Sequence, residues 1–342
     1  MLHCPFCEAE LTLARVPATG TAPVFCEACF NPSIVDARPA GPVISPVPGV
    51  MDSRMVAKPD SLAAALFDAV RQSIDDMPLL PEISRRVLLL LRDPEISMRA
   101  VGEVVGEDPV VAAKVLRVAN SAMYGGLSEI SELGAACARL GMTTVANVVQ
   151  TAANGQLYIT SNKEFKAQME RLQRHSVVTA HCASEIARSI ADPRADVAFA
   201  AALLHRIGAI PVIDAVTSAR KEPLSRLREN TGLLNEMLAA YSPLMGLMVV
   251  QRWNLPTDIM AATYFSALPD AEPSPDGAVL AHTIALASAI ASASGFPALE
   301  HMEESMLMAH PSSQFLGLGD VKIATIRVDL EDRVAPLLDA AA

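Results

Sequence analysis

The sequence predicts a large all-α domain preceded by a small cysteine-bearing module of β-hairpin type, the two joined by a proline-rich linker. Three observations predict it. From Ser61 onward apolar residues recur with helical period, and alternating strand patterns are scarce. Residues 1–36 hold four of the six cysteines. Residues 37–60 carry Pro39, Pro42, Pro46, Pro48 and Pro59, with Gly41 and Gly49. The predicted division is therefore 1–36, 37–60 and 61–342.

The first module is defined by Cys4-x2-Cys7 and Cys26-x2-Cys29, 18 residues apart. This spacing fits a zinc site, because each C-x2-C pair wraps two thiolates around one tetrahedral ion. Four sulfur ligands leave no open position, so the expected ion is a single structural zinc, and the module is a zinc ribbon. A unit of this size buries too little surface to fold alone, and metal binding supplies the missing free energy. A redox dithiol pair is the competing assignment, but no thioredoxin-like βαβ pattern surrounds the cysteines. His3 is read as a neighbour of the site. Between Cys4 and Cys29 the only basic residue is Arg15, against Glu8, Glu10 and Glu27. That suits protein contact better than phosphate contact.

The linker follows from proline chemistry. Prolines lack the backbone donor and fix φ, so neither helix nor sheet is predicted over 37–60. A strap lying on the main domain is the alternative.

The helical region begins with Leu62, Leu66, Val70 and Ile74, which step by four. Pro81 suits a first helical position, and Ile83, Val87, Leu90 and Leu91 follow on one side. Asp108-Pro109 is a start signal, an acceptor side chain followed by a pre-set φ. Val111, Val115, Val118 and Ala119 continue that helix towards Gly125-Gly126. Further helices are predicted near 128–138, 143–157, 163–190, 195–205, 223–240, 242–252, 256–266 and 277–293. Val321–Leu330 is the one fair strand candidate in this region.

Composition bounds the function. Lys plus Arg total 27 and Asp plus Glu 38, a formal net charge of −11. The overall field repels polyanions, which speaks against nucleic acid as a partner. Apolar residues make up 51% of the chain, enough for a sizeable core. Met1-Leu2-His3-Cys4 does not open a secretory signal. Ala278–Leu299 is uncharged but holds His282, Pro297 and several serines, and reads as a packed helix rather than a membrane span. The expectation is a soluble, cytoplasmic protein, whose thiols stay reduced.

Several motifs in order carry a resemblance. They are Asp76-Met-Pro-Leu-Leu-Pro-Glu82, Asp108-Pro109, Lys114-Val-Leu-Arg-Val-Ala-Asn-Ser121 and Ala138-Arg-Leu-Gly141, then His175-Ser176 and Ala202-Leu-Leu-His-Arg-Ile-Gly208, and finally Arg252-Trp-Asn-Leu-Pro256 and Thr283-Ile-Ala-Leu-Ala-Ser288. Over roughly residues 70–295 the chain resembles the HDOD family, the HD-related output domains of bacterial signalling proteins. The resemblance implies an all-helical HDOD domain and a signalling role.

It also locates a degenerate site. Related HD hydrolases hold metals with His…His-Asp…Asp. By the resemblance His175 matches the first histidine and His205 the second, while Arg206 stands at the aspartate and Ser288 near the last one. A guanidinium is always charged and cannot ligate a cation, so no catalytic residue is assigned. Where relatives carry further histidines this chain reads Ala240-Tyr-Ser-Pro243 and Thr263-Tyr-Phe265. His175, His205, Arg206 and Ser288 form a candidate vestigial pocket, which could hold an anion or nucleotide or simply contain hydrogen-bonded core histidines. His175 and Cys182 share one helix face, and His181 and Glu185 another. Cys137 and Cys182 are read as buried thiols. Asp108, Asn120 and Ser121 are read as structural: a helix cap, and side chains that satisfy backbone groups where the next helix ends. Met302, Met306 and Met308 are read as packing, with a soft docking surface as the alternative.

The resulting expectation is a non-enzymatic signal-transduction or regulatory protein acting through protein–protein contact, self-association included. Three alternatives stand beside it: a nucleic-acid-associated regulator using the ribbon, a divergent cyclic-dinucleotide phosphohydrolase, and a ligand sensor. A cyclic dinucleotide as ligand rests on one arginine.

Overall fold

A computed structural model describes residues 2–4, 11, 20–26, 32–37, 42–46, 62–90, 97–125, 129–220, 222, 224–272, 274–299, 302–328 and 330–342. Cys7, Cys29 and most of the predicted linker lie outside the described residues. The chain is mostly helical and divides into two units, Met1–Met77 with Leu204–Ala285, and Pro78–Leu203 with Leu286–Ala342.

Three strands, β1 (Gly20–Phe25), β2 (Pro32–Ala37) and β3 (Val43–Pro46), are followed by the helices α1 (Leu62–Asp76), α2 (Glu82–Leu90), α3 (Met98–Gly106), α4 (Pro109–Ala119), α5 (Leu133–Leu140) and α6 (Met142–Gly155). Next come α7 (Lys166–Ser189), α8 (Ala195–Leu204), α9 (Ala209–Ser218), α10 (Arg226–Glu229), α11 (Thr231–Arg252) and α12 (Thr257–Phe265). The last are α13 (Pro275–Ala293), α14 (Pro311–Phe315), α15 (Asp320–Arg327) and α16 (Leu330–Ala341).

In the first unit the strands form an antiparallel sheet in the order β1-β2-β3, with Val24 opposite Ser33 and Val35 opposite Ile44. Cys4, Leu11, Val24, Cys26 and Val35 make one buried cluster, flanked by Leu2 and Ile44. The Leu11 N–H donates to the Leu2 carbonyl at 2.9 Å. β1 packs against α11 and α12. The sequence predicts neither helix nor sheet over 37–60, yet Val43–Pro46 pair with β2. The prolines allow it by position: Pro46 closes β3 and Pro23 lies on β1, both outer strands, where a missing donor breaks no ladder.

Of the predicted stripe α1 buries Leu66, Val70 and Ile74, with Leu62 half-buried, and α1 packs against α9. The region predicted as two helices around Pro243 is one helix, α11, with Pro243 inside it. Leu234, Met237 and Leu238 before the proline and Met245, Leu247, Val249 and Val250 after it are buried. Tertiary packing on both sides thus outweighs the lost helical hydrogen bond. Gly208 lies against this helix. A Cβ there would come within 2.0 Å of the Ser242 carbonyl and 2.2 Å of the Gly246 nitrogen, so no side chain fits.

In the second unit α6 packs against α2, α4, α5 and α16, and α7 against α15 and α16. α16 is received at its end by two side chains. Lys114 Nζ donates to the Ala340 carbonyl at 2.7 Å and Gln173 Nε2 to the Ala341 carbonyl at 2.9 Å. These carbonyls would otherwise lack helical partners. The predicted strand Val321–Leu330 is instead α15 and the start of α16. Ile323 and Ile326, three apart, are its buried residues. Helical period decides over β-branched composition.

Among the described residues three stretches are long and apolar enough to cross a membrane: Ala195–Ser218, Thr231–Arg252 and Pro275–Ala293. Half or more of the most apolar 18 residues in each is buried within the protein.

Candidate functional site

His175 sits mid-way along α7 and is fully buried. Its Nδ1 lies 2.7 Å from the Phe296 carbonyl, and its Nε2 lies 3.1 Å from Ser288 Oγ and 3.3 Å from Thr179 Oγ1. A carbonyl only accepts, so Nδ1 carries the proton. In the neutral ring Nε2 is then the acceptor, with Ser288 Oγ the nearer of the two hydroxyls facing it. The imidazole lone pair that would ligate a metal points at hydroxyl groups. Phe296 is itself held, with the Arg174 guanidinium 5.5 Å from its ring centroid.

The structure therefore brings His175 and Ser288 together, both in the second unit. Two partners escape the sequence reading. Thr179 is four residues from His175 on the same helix face, so its spacing was available as a signal. The Phe296 carbonyl is a backbone group and leaves no signal. Next to His175, Ser176 Oγ lies 3.2 Å from the buried Tyr158 hydroxyl.

His205 and Arg206 belong to the first unit, in the turn after α8. His205 is 6% exposed, with Nε2 buried. Arg206 is half-buried, and its Nε is buried too. The turn is tied by Ile207 N–H to the Leu204 carbonyl at 2.9 Å and Ala209 N–H to the Arg206 carbonyl at 3.0 Å.

The remaining candidates are structural. Asp108 Oδ1 accepts from the N–H groups of Val110 and Val111 at 2.9 and 3.1 Å, capping α4. At the other end of α4, Asn120 exchanges two hydrogen bonds with the Ile130 backbone, both 2.8 Å. Ser121 Oγ donates to the Val118 carbonyl at 2.7 Å, and Arg139 Nη1 to the Ala119 carbonyl at 3.2 Å. Cys137 and Cys182 are buried. Burial raises both thiols, Cys182 to about 12, so neither is a thiolate at neutral pH. Of the Met-rich segment, Met306 and Met308 are exposed rather than packed. Among the described residues no three His, Cys, Asp or Glu side chains gather as a metal cluster.

Of the cysteine quartet, Cys4 and Cys26 are both 2% exposed and lie in the same buried cluster. One thiol from each half of the motif thus reaches a single place.

Comparison with known proteins matches the HDOD domain to residues 77–269, more than half the chain. This chain belongs to the HDOD domain family. An HDOD domain protein of unknown function from Geobacter sulfurreducens superposes with a TM-score of 0.63 at 21% identity, over 82% of this chain and 98% of that one. A protein named as a candidate signal transduction protein, from Marinobacter aquaeolei VT8, gives 0.60 at 18% identity, over 90% of this chain and 75% of that one. One named as a candidate metal-dependent phosphohydrolase, from Shewanella amazonensis SB2B, gives 0.56 at 20% identity, over 82% and 98%. At these identities the likeness concerns the fold. An uncharacterized protein of Treponema pallidum (strain Nichols) is 25% identical over 214 residues, which are 60% of this HDOD chain and 39% of that relative. The chain thus spans well under half of that relative's length.

Proposed function

We propose that this HDOD protein is a non-enzymatic signal-transduction protein of the cytoplasm that acts through protein contacts. The observation that carries the reading is His175. Both its ring nitrogens are engaged by Phe296, Ser288 and Thr179, so the first histidine of the HD pattern serves as a buried link between α7 and the segment around Ser288 and Phe296. Arg206 supports the same reading, since a fixed positive charge replaces the acid that a divalent cation requires.

The N-terminal module is a structural zinc ribbon in this proposal, with Cys4, Cys7, Cys26 and Cys29 holding one ion. The spacing of the pairs supports it, and so does the shared burial of Cys4 and Cys26. Zinc there supplies folding free energy and no chemistry. Packing of β1 on α11 and α12 makes the ribbon part of the surface offered to a protein partner.

Two measurements test the reading. The full chain, incubated with Mn2+ and bis(p-nitrophenyl) phosphate, should give no more hydrolysis than the His205→Ala variant; metal-dependent turnover lost in that variant overturns the non-enzymatic role. Elemental analysis should find one zinc per chain, lost on Cys26→Ser, and zinc retained in that variant removes the ribbon.

A further inference from the structure

We propose that the N-terminal sheet is a zinc-dependent cover for α11 and α12, a coupling that rests on the zinc-ribbon reading above and deepens it.

Side chains alternate between the two faces of a sheet, and directly paired residues share a face. Val24, Ser33, Val35 and Ile44 therefore lie on one face, and Pro23, Ile34, Val43 and Ser45 on the other. The first face supplies Val24 and Val35 to the cluster that holds Cys4 and Cys26. The second turns away from the cysteines, yet Pro23 and Ile34 on it are buried, with Ile34 only 4% exposed. Ile34 is not part of the cysteine cluster, so something else covers it.

The burial of this second face is graded across the sheet. On β3 it ends, where Ser45 is exposed and Val43 is 43% exposed. β1 is the strand that packs on α11 and α12. The helices thus cover the β1 and β2 side of the face and stop short of β3.

The helices depend on the same contact. In α12 the residues from Ile259 to Phe265 are all buried, and they run round every side of the helix. α11 closes one side and β1 another. A helix that is apolar all round needs cover all round, so loss of the sheet bares part of α12.

Cys26 links this cover to the metal. It follows β1 directly and joins Val24 and Cys4 in the buried cluster. A sheet this small has little buried surface of its own, so it keeps its strands only while its cysteines are held. The strand ordered in this way through Val24 and Cys26 on one face presents Pro23, beside Ile34, on the other. Coupling between sites is reciprocal, so docking on the helices also strengthens zinc binding. Zinc supply then sets how much apolar helix surface the protein exposes.

Hydrogen exchange on the full-length protein tests the coupling in one direction, with zinc bound, with zinc removed by excess chelator, and after zinc is returned. Exchange in α12 should speed up by about tenfold or more on removal and recover on return, while α7 in the second unit changes by less than about twofold. Unchanged exchange in α12 of the zinc-free protein overturns the cover. Equal acceleration in α12 and α7 overturns it too, because that is global unfolding. Competition with a colorimetric chelator tests the other direction. Ile34→Ser, on the face away from the cysteines, should lower zinc affinity by about fivefold or more. Val43→Ser, exposed on that same face, should leave it at the wild-type value. Wild-type affinity in Ile34→Ser, or an equal loss in both variants, also overturns the cover. All these outcomes leave a zinc-binding ribbon standing, whereas a wild-type chain that binds no zinc fails the ribbon reading itself, and the cover with it.

Discussion

Arg252 closes the end of α1 by donating to the carbonyl of Ile74 at 2.9 Å. The same guanidinium reaches the Met77 carbonyl at 3.1 Å and the Asp75 carbonyl at 2.9 Å. Arg252 is the last residue of α11, so one side chain ties the C-terminal turn of one helix to the terminus of another 178 positions away. It adds a second donor at the Ile74 carbonyl, which also accepts from the Met77 N–H, and places positive charge where the helix dipole favours it. Arg252→Ala should lower stability by about 1–2 kcal/mol. Arg252→Lys should restore only part, because an ammonium cannot span three carbonyls. Urea unfolding of the three proteins measures both differences, and indistinguishable midpoints for wild type and Arg252→Ala contradict the assignment.

Asn120 pairs with the Ile130 backbone through both ends of its amide. It therefore acts as a peptide-like bridge between the end of α4 and the segment before α5. Asn120→Asp keeps the acceptor, loses the donor and sets a negative charge beside the Ile130 carbonyl. The expected cost is about 2–3 kcal/mol, larger than the roughly 1–2 kcal/mol expected for Asn120→Ala. Denaturation midpoints near pH 8, where the aspartate is charged, should rank wild type, Ala, then Asp. The reverse order of the two variants rules out the bridge.

Those two examples show what was legible in the sequence. The stripe of α1 was readable from its period, and that of α4 because period and caps agree, with Asp108 at one end and Asn120 near the other. The class of the second half followed from the same agreement. Less was legible where a local pattern met a tertiary constraint. Pro243 reads as a break, and only buried residues on both sides keep α11 continuous. Val321–Leu330 alternates like a strand, and only the shared burial of Ile323 and Ile326 reveals its helix. At the candidate site, the residue types matched by the resemblance put an arginine and a serine where HD hydrolases carry acids. They could not show what His175 does instead, because its proton goes to a main-chain carbonyl 121 positions away.

Ala191 follows α7 with φ of +57°, in the left-handed region. Its neighbour closes the helix, with Asp192 N–H donating to the Ala187 carbonyl at 2.9 Å. This is a helix stop that glycine fills without steric cost, whereas an L side chain is strained there. Ala191→Gly should therefore stabilise the protein by about 0.5–1 kcal/mol, after allowing for the greater freedom of glycine in the unfolded chain. Ala191→Val should destabilise it, since a branched Cβ tolerates this φ worst. Thermal unfolding should place the melting temperatures in the order Gly, Ala, Val. A glycine variant that melts lower than wild type defeats the argument.

His181 makes the second unit sensitive to acid. Burial holds its imidazole down to about 4, helped by the charges of Arg333 and Arg188 and opposed by Glu185. Its Nε2 is buried without a hydrogen-bond partner among the described residues. In the unfolded chain the same group titrates near 6.5. Between these values the unfolded state binds the proton and the folded state does not, so stability rises with pH. The contribution is fully present above about pH 6.5 and is lost as pH falls towards 4, a total of about 3 kcal/mol. Because α7 packs on α16, and Arg333 belongs to α16, charging His181 also sets like charges against each other across that pair of helices. Urea midpoints of wild type should therefore fall between pH 7 and pH 5, and those of His181→Gln, neutral throughout, should fall less. Parallel pH profiles for the two proteins mean that His181 does not set the acid limit.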